Sequence, residues 1–407
     1  MKIAVWHNLP SGGSKRALYQ QIKGLIARGH EVECWCPSIA NKDYLQLDGL
    51  CPEHVLNISW PQSKKSPKLF DWFQYHRKIQ ARLRAMRIHC QECAVQINDG
   101  GFDVLLANTC SAFAVPPIGN FVKLPKALYL GEPNRKFYEA LPESVWAAPA
   151  AADGWLKLFA NTFRMHAIRV QMREEIDNAR HYDRILVNSF FSRENILRAY
   201  GLESEVCYLG IDSSLFRPTG EPVENYVIGL GMVGYTKGID RAIRAVAAIP
   251  LPDRPKLVWI GNTAFKKYPG ELQQLARELK VDFEIKIMVT DNELVSTLSR
   301  AALMLYTSRL EPFGLAPLEA NACGVPVVAV PEGGVRETII HGENGLLAAS
   351  ASPQDIASAI LTLLKNPELA SAMRAQSRNL VLSRWKLESS IDRLEAALEQ
   401  TIKTSCR

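Results

Sequence analysis

The feature that most constrains this chain is an alternation. Short apolar runs of strand length are followed by longer runs whose apolar residues recur at steps of three and four, and this happens in two series. Alternation of that kind builds parallel sheets with helices on both faces. In the first series Ile3–Trp6 reads as a strand, Pro10–Gly13 as a tight loop, and Ser14–Arg28 as a helix with Leu18, Ile22, Leu25 and Ile26 on one side. Glu31–Cys36, Val104–Ala107, Ala127–Leu130 and Arg184–Val187 read as further strands. The second series has strands at Tyr226–Leu230, Lys256–Ile260, Phe283–Ile287, Leu303–Tyr306 and Val325–Val330. Its helices fall at Gly238–Ala248, Gly270–Leu279, Asp291–Arg300 and Pro312–Cys323, and the runs Pro353–Leu364, Pro367–Leu382 and Leu387–Lys403 follow. Phe216–Pro222, rich in proline and glycine and without periodicity, reads as the linker. The expected α/β architecture is two doubly wound, Rossmann-like domains, over 1–216 and 217–386. Ligands are expected at the carboxyl ends of strands and in the deep cleft between the domains.

Composition narrows the function. At 407 residues, 47% apolar and 22% charged, the chain is neither a coiled coil nor a disordered tail. A net charge of +6 gives no argument for nucleic acid, and none is expected as a partner. Nine cysteines, scattered and odd in number, form no disulfide framework. Cys90 and Cys93 make a CxxC without a second pair at zinc spacing, inside a helical run, so helix thiols are the plainer reading. A reduced, cytoplasmic compartment fits this usage. Met1–Trp6 leads straight into a strand with no apolar leader, and no stretch approaches the ~18 apolar residues of a membrane span.

The charge is unevenly spread. Residues 1–215 carry 26 basic and 21 acidic side chains, the remainder 22 and 21. Lys64, Lys65, Lys68, Arg77, Lys78, Arg82, Arg84 and Arg87 are opposed locally only by Asp71, while Leu69, Trp72, His76, Ile79, Leu83, Met86 and Cys90 recur at helical steps. Trp155–Ile176 similarly mixes Trp155, Phe159 and Phe163 with Arg164, Arg169 and Arg173. Two readings fit: ordinary helices with solvated arginines, or helices docking peripherally on an anionic membrane surface, here the inner face.

The stretch from Ser308 to Val328 carries the chemistry. A strand ends near Ser308 and a helix starts within Pro312–Ala316. Gly314 permits close approach to the backbone, and the amides of Phe313, Gly314 and Leu315 point outward at the positive helix end, a natural phosphate site. Glu311 precedes the turn and Glu319 lies on the helix, so the two carboxylates can accept from different hydroxyls of one ligand. The alternative is a capped helix with an exposed glutamate.

The same residues, E-P-F-G-L-A-P-L-E-A-N-A-C-G-V-P-V-V, resemble the Glu-x7-Glu motif of family 4, or group 1, retaining glycosyltransferases with the GT-B fold. Gly12-Gly13 followed by Leu25–Val32, then Val187–Arg193, Tyr208–Pro218, Gly333–Glu337 and His341–Leu347 are similar to other stretches of that family in the same order. The resemblance implies two Rossmann-like domains facing across a cleft, with the last helix, about 387–407, crossing back to the first. It implies that Glu311 holds donor-sugar hydroxyls, Glu319 the nucleotide ribose, and Phe313–Leu315 together with Gly12 and Gly13 the diphosphate or sugar. Lys237, in Gly231-Met232-Val233-Gly234-Tyr235-Thr236-Lys237, matches the lysine that stabilises the leaving diphosphate. The donor is then a nucleotide sugar, UDP- or GDP-linked among others, and the acceptor a glycan, a lipid-linked sugar or a small molecule. No cofactor or metal is expected, since no Asp-x-Asp sits at a strand end.

Two positions depart from the family. Met232 stands where an arginine is usual, and Lys15 or Arg16 of the glycine loop are the candidate replacements. Gly131 stands where many members have histidine, and Gly131-Glu132-Pro133-Asn134-Arg135 resembles an x-E-P-x-R subset in which Glu132 and Arg135 face acceptor or sugar. These departures keep open a protein that binds nucleotide sugar or glycan without turnover. A GT-B sugar-nucleotide epimerase is more distant, because the Glu-x7-Glu stretch is not its signature.

Overall fold

The computed structural model describes residues 1–61, 71–139 and 154–405. Lys64, Lys65, Lys68 and Leu69 lie outside those residues, as do the side chains of Asp71 and Trp72. Two separate parallel sheets form. The first contains β1 (Lys2–Asn8), β2 (Glu31–Pro37), β3 (Glu53–Leu56), β4 (Val104–Cys110), β5 (Lys126–Tyr129), β6 (Arg184–Val187) and β7 (Glu205–Val206). They are ordered β3-β2-β1-β4-β5-β6-β7. The second contains β8 (Tyr226–Leu230), β9 (Lys256–Gly261), β10 (Phe283–Ile287), β11 (Leu303–Tyr306), β12 (Val327–Ala329) and β13 (Gly345–Leu347), ordered β10-β9-β8-β11-β12-β13. In both sheets the order reverses beside the first strand, between β1 and β4 and between β8 and β11. A crevice opens at such a point, and the loops leaving β1, β8 and β11 are the ones that line it.

The central strands are sealed on both faces. Ile3, Ala4, Val5 and Trp6 are fully buried, as are Leu303, Met304 and Leu305. Continuous apolar runs of this kind are what a parallel sheet covered twice requires. Three strands that the periodicity does not predict, β3, β7 and β13, are two to four residues long and sit at the sheet edges. The helix expected at Pro312 begins only at Leu315, because Leu310 (φ 46°) and Gly314 (φ 100°) hold the preceding turn in left-handed conformations.

The last helix, Leu387–Ser405, does cross back. Trp385 O accepts from Ile211 N at 2.8 Å, and Leu387 N donates to Ile211 O at 3.0 Å. Gly210 permits this crossing, since a Cβ there would stand 2.5 Å from the Lys386 carbonyl. The helix then lies on Gly13–Ala27 of the first half. Ile391 fills the space above Gly24, and Arg28 pairs with Asp392 at 2.5 Å and Glu395 at 2.6 Å.

The helix Asp71–Asp99 buries Met86, Cys90 and Cys93 against the first sheet, and Ile79 is buried as well. Two of its arginines are engaged at home, Arg82 over the Trp60 ring and Arg87 over Phe121. The helix Trp155–Ala179 leaves Trp155 74% and Phe159 51% exposed. Among the described residues no helix is long and apolar enough to cross a membrane.

Candidate active site

The loops at the two reversal points converge. After β8, Gly231 takes φ 145° and lets the aliphatic stem of Lys237 pass 3.4 Å from where a Cβ would stand. The Lys237 ammonium therefore reaches the turn after β11 and donates to both oxygens of Glu311, at 2.9 and 2.7 Å. Burial alone would raise the Glu311 carboxyl. Lys237, Arg135 and the Ser308 hydroxyl overcome it and hold the group below the usual carboxylate range.

Glu132 and Arg135 come to the same place from the first sheet, on the loop after β5. Arg135 bonds Glu139 at 2.6 Å, approaches Glu132 at 3.5 Å and donates to the Arg309 carbonyl at 2.7 Å, two residues before Glu311. Loss of hydration on burial pushes the Glu132 carboxyl up to about 7, with Arg135 opposing and Glu311 adding to the rise. Glu132 Oε2 has no hydrogen-bond partner, although 38% of the side chain still meets solvent. Sequence reasoning did not single out Glu175. This fully buried carboxylate accepts from Gln171 at 3.2 Å, Tyr200 at 3.3 Å and Asn134 at 3.4 Å, so it fixes the residue before Arg135.

A second cluster forms around Glu319. Gly12 (φ 137°) turns the chain after β1, and Gly13 brings the loop against the start of the helix Leu315–Ala322, where a Cβ on Gly13 would stand 3.5 Å from Leu315 Cδ1. That places Arg16 across the cleft, bonded to Asp291 at 2.8 Å and Tyr44 at 3.2 Å, with Glu319 at 3.9 Å. Burial raises the Glu319 carboxyl and Asp291 adds to it, against Arg16. Lys15, the other candidate cation, does not reach the cleft. It turns under its own helix and is 1% exposed. Met232 folds back over Gly234. The Phe313 ring is buried against Tyr208 and Trp385, centroids 6.0 and 5.5 Å away, while Gly314 is buried and Leu315 half-buried.

Contacts that the motifs did not reveal tie the halves together. Glu337 accepts from the amides of Phe190 and Phe191 at 3.0 Å each, and Ser189 Oγ donates to the Pro312 carbonyl at 2.5 Å. Glu337 closes the Gly333–Glu337 stretch and Ser189 lies in Val187–Arg193, so the sequence marks both segments without showing that they meet.

Residues 214–380, which hold Lys237, Glu311 and Glu319, match the family model described as glycosyl transferases group 1. This part of the chain is a group 1 glycosyltransferase domain. Relatives of the domain and its surroundings include the D-inositol 3-phosphate glycosyltransferase of Corynebacterium aurimucosum, 31% identical over 53% of this chain and 56% of that protein. The N-acetyl-alpha-D-glucosaminyl L-malate synthase of Bacillus anthracis is 28% identical over 42% and 44%. The chain thus spans about half the length of the curated relatives it matches. HepE of Anabaena, solved with UDP and glucose, superposes with a TM-score of 0.74 at 20% identity, covering 98% of this chain and 99% of that one. WaaG, a glycosyltransferase involved in lipopolysaccharide biosynthesis, gives 0.64 at 17% over 97% and 99%. The group 1 domain is therefore one half of a GT-B fold, and the first sheet is the other.

Proposed function

We propose that the chain is a retaining glycosyltransferase that moves a hexose-type sugar from a nucleotide-diphosphate donor to a glycan, lipid-linked or small-molecule acceptor. Residues 217–386 hold the donor, while residues 1–216 with the returning helix hold the acceptor. One observation carries the reading: Lys237 and Glu311, from the loops after β8 and β11, are bonded at the reversal point of the second sheet, where a ligand lying in the crevice meets both. A donor diphosphate competes with Glu311 for the ammonium, and the freed carboxylate accepts from sugar hydroxyls. Glu319 accepts from ribose, Gly12, Gly13, Phe313, Gly314 and Leu315 offer backbone, and Glu132 and Arg135 face the sugar or acceptor.

Leaving-group charge is met by Lys237 and by Arg16, which takes the part of the arginine replaced by Met232. No metal enters this reading, so EDTA leaves turnover unchanged. Transfer proceeds on one face of the sugar, the departing phosphate oxygen taking the acceptor proton. The likeness to HepE, solved with UDP and glucose, supports a sugar nucleotide as donor. A thermal-shift screen against UDP-, GDP- and ADP-sugars tests the reading, because a ligand that binds only the folded chain raises its melting temperature. At least one donor should raise Tm and be slowly hydrolysed. Binding without hydrolysis or transfer to any acceptor would favour a non-catalytic binder.

The acceptor side includes peripheral contact with a cytoplasmic anionic membrane face, through the exposed Trp155 and Phe159 and the arginines that follow them. Recovery on anionic vesicles at low salt should exceed that on neutral ones and fall as salt is added. Equal recovery on both removes this part of the proposal.

A further inference from the structure

Beneath the helix Gly13–Ala27, one face of β1, β2 and β3 buries a group of reactive side chains that sugar transfer does not use. Trp6 pairs with Trp35, which sets His7 beside Cys36, and Cys34 pairs with Glu53. His7 Nε2 lies 3.1 Å from Glu53 Oε1, and the Cys36 thiol donates to the same oxygen at 3.6 Å. Lys15 descends on them from above, so its ammonium and the Glu53 carboxylate offset one another in the interior. Next to this pair, Cys34 Sγ and Cys51 Sγ are 3.4 Å apart. Among the described residues this is the one sulfur–sulfur contact within hydrogen-bonding reach.

The two thiols are unequal. Cys34 is fully buried in the middle of β2, whereas Cys51 is 7% exposed on the segment that leads into β3. Its hydrogen bond from Cys34, with Lys15 in Coulombic reach, draws the Cys51 thiol below the ordinary range. Cys34 moves the opposite way, held up by that same bond and by burial. The less deeply buried sulfur, whose thiol is drawn down, thus sits beside a fully buried partner.

We propose that Cys34 and Cys51 are a modification site, a dithiol that closes to an intramolecular disulfide when hydrogen peroxide reaches Cys51. The Cys51 thiolate attacks one peroxide oxygen, the O–O bond breaks, and the departing hydroxide takes a proton to leave as water. Cys51 is then a sulfenic acid. The Cys34 sulfur attacks it, the S–O bond breaks, and the hydroxyl leaves as water with the Cys34 proton. Two thiols and one peroxide thereby become one disulfide and two waters. The sulfurs must close to about 2.05 Å, a movement left to the segment carrying Cys51, which is not in a strand.

The test uses the full chain and hydrogen peroxide, followed by N-ethylmaleimide under denaturing conditions, digestion without reductant and mass spectrometry. The expected product joins the peptides containing Cys34 and Cys51, loses two hydrogens and leaves two fewer than the nine cysteines alkylated. Full alkylation of both, or pairing of Cys51 with any other cysteine, overturns the proposal. In a Cys34→Ser chain shown to be folded by circular dichroism, peroxide should leave a Cys51 sulfenic acid that dimedone traps. Absence of that adduct overturns the assignment of Cys51 as the attacking thiol.

Discussion

Glu311 and Glu319 lie on one turn and one helix of the same half, yet their surroundings differ. Glu311 is paired within its own half, by a lysine that bonds both oxygens and holds the group charged. Glu319 faces an arginine from the other half at 3.9 Å, shared with Asp291 and Tyr44, and burial makes its charged form costly. The first arrangement is ready before any ligand or domain movement. The second exists only while the halves face each other. One motif therefore holds a fixed site and a conditional one.

That contrast can be broken most forcefully at the fixed pair. Glu311→Ala, which strands Lys237 and removes a sugar acceptor, should lower donor turnover by about 10²–10³-fold, the scale of one lost preorganised contact in a transition state. Steady-state hydrolysis of the donor found in the screen measures it. A loss below about threefold would place the catalytic work elsewhere. The conditional side should show a smaller effect and a specific repair. Arg16→Met should reduce kcat by roughly 10–100-fold, and adding Met232→Arg should restore most of it, because the cation returns from the position the family ordinarily uses. If Met232→Arg repairs nothing, Arg16 serves to hold the halves together rather than to meet phosphate.

The smallest effect concerns stability. The Glu132 carboxyl is raised in the folded chain from 4.5 to about 7, so the fold prefers its protonated form. The stability this gives is full below pH 4.5 and is lost as pH rises through about 7. A Glu132→Gln chain lacks that loss. Its Tm relative to the parent should therefore climb between those pH values and level off above, by an amount that partial exposure keeps to a few degrees at most. A pH-independent difference would show that Glu132 is not the titrating group.

The second half was legible because its signals are local. Gly314 and Glu311 sit within four residues, and β8, β10 and β11 have the bounds that their apolar runs predict. The first half was legible in five of its seven strands, but not in the partners that its polar residues meet. Arg16, Tyr44 and Asp291 are far apart in the chain, and none belongs to a pattern whose period or spacing announces a contact. Lys15 and Arg16 are adjacent and chemically alike, yet the hundred-degree step of a helix sends one into the interior and the other across the cleft. β3 has no apolar run, since Glu53 and His54 are there for polar partners, Glu53 for His7 and His54 for Glu33 at 2.8 Å.

The return of the final helix onto Gly13–Ala27 has a consequence for biosynthesis. Ile391 and Leu394 are buried parts of the surface that covers the first helix, and they are made more than 360 residues after Gly24. On the ribosome the first sheet can collapse early, but one side of its first helix stays bare until the second half has emerged and folded. The half synthesised first is thus the half completed last, and a truncation before Trp385 should leave it sticky rather than merely inactive.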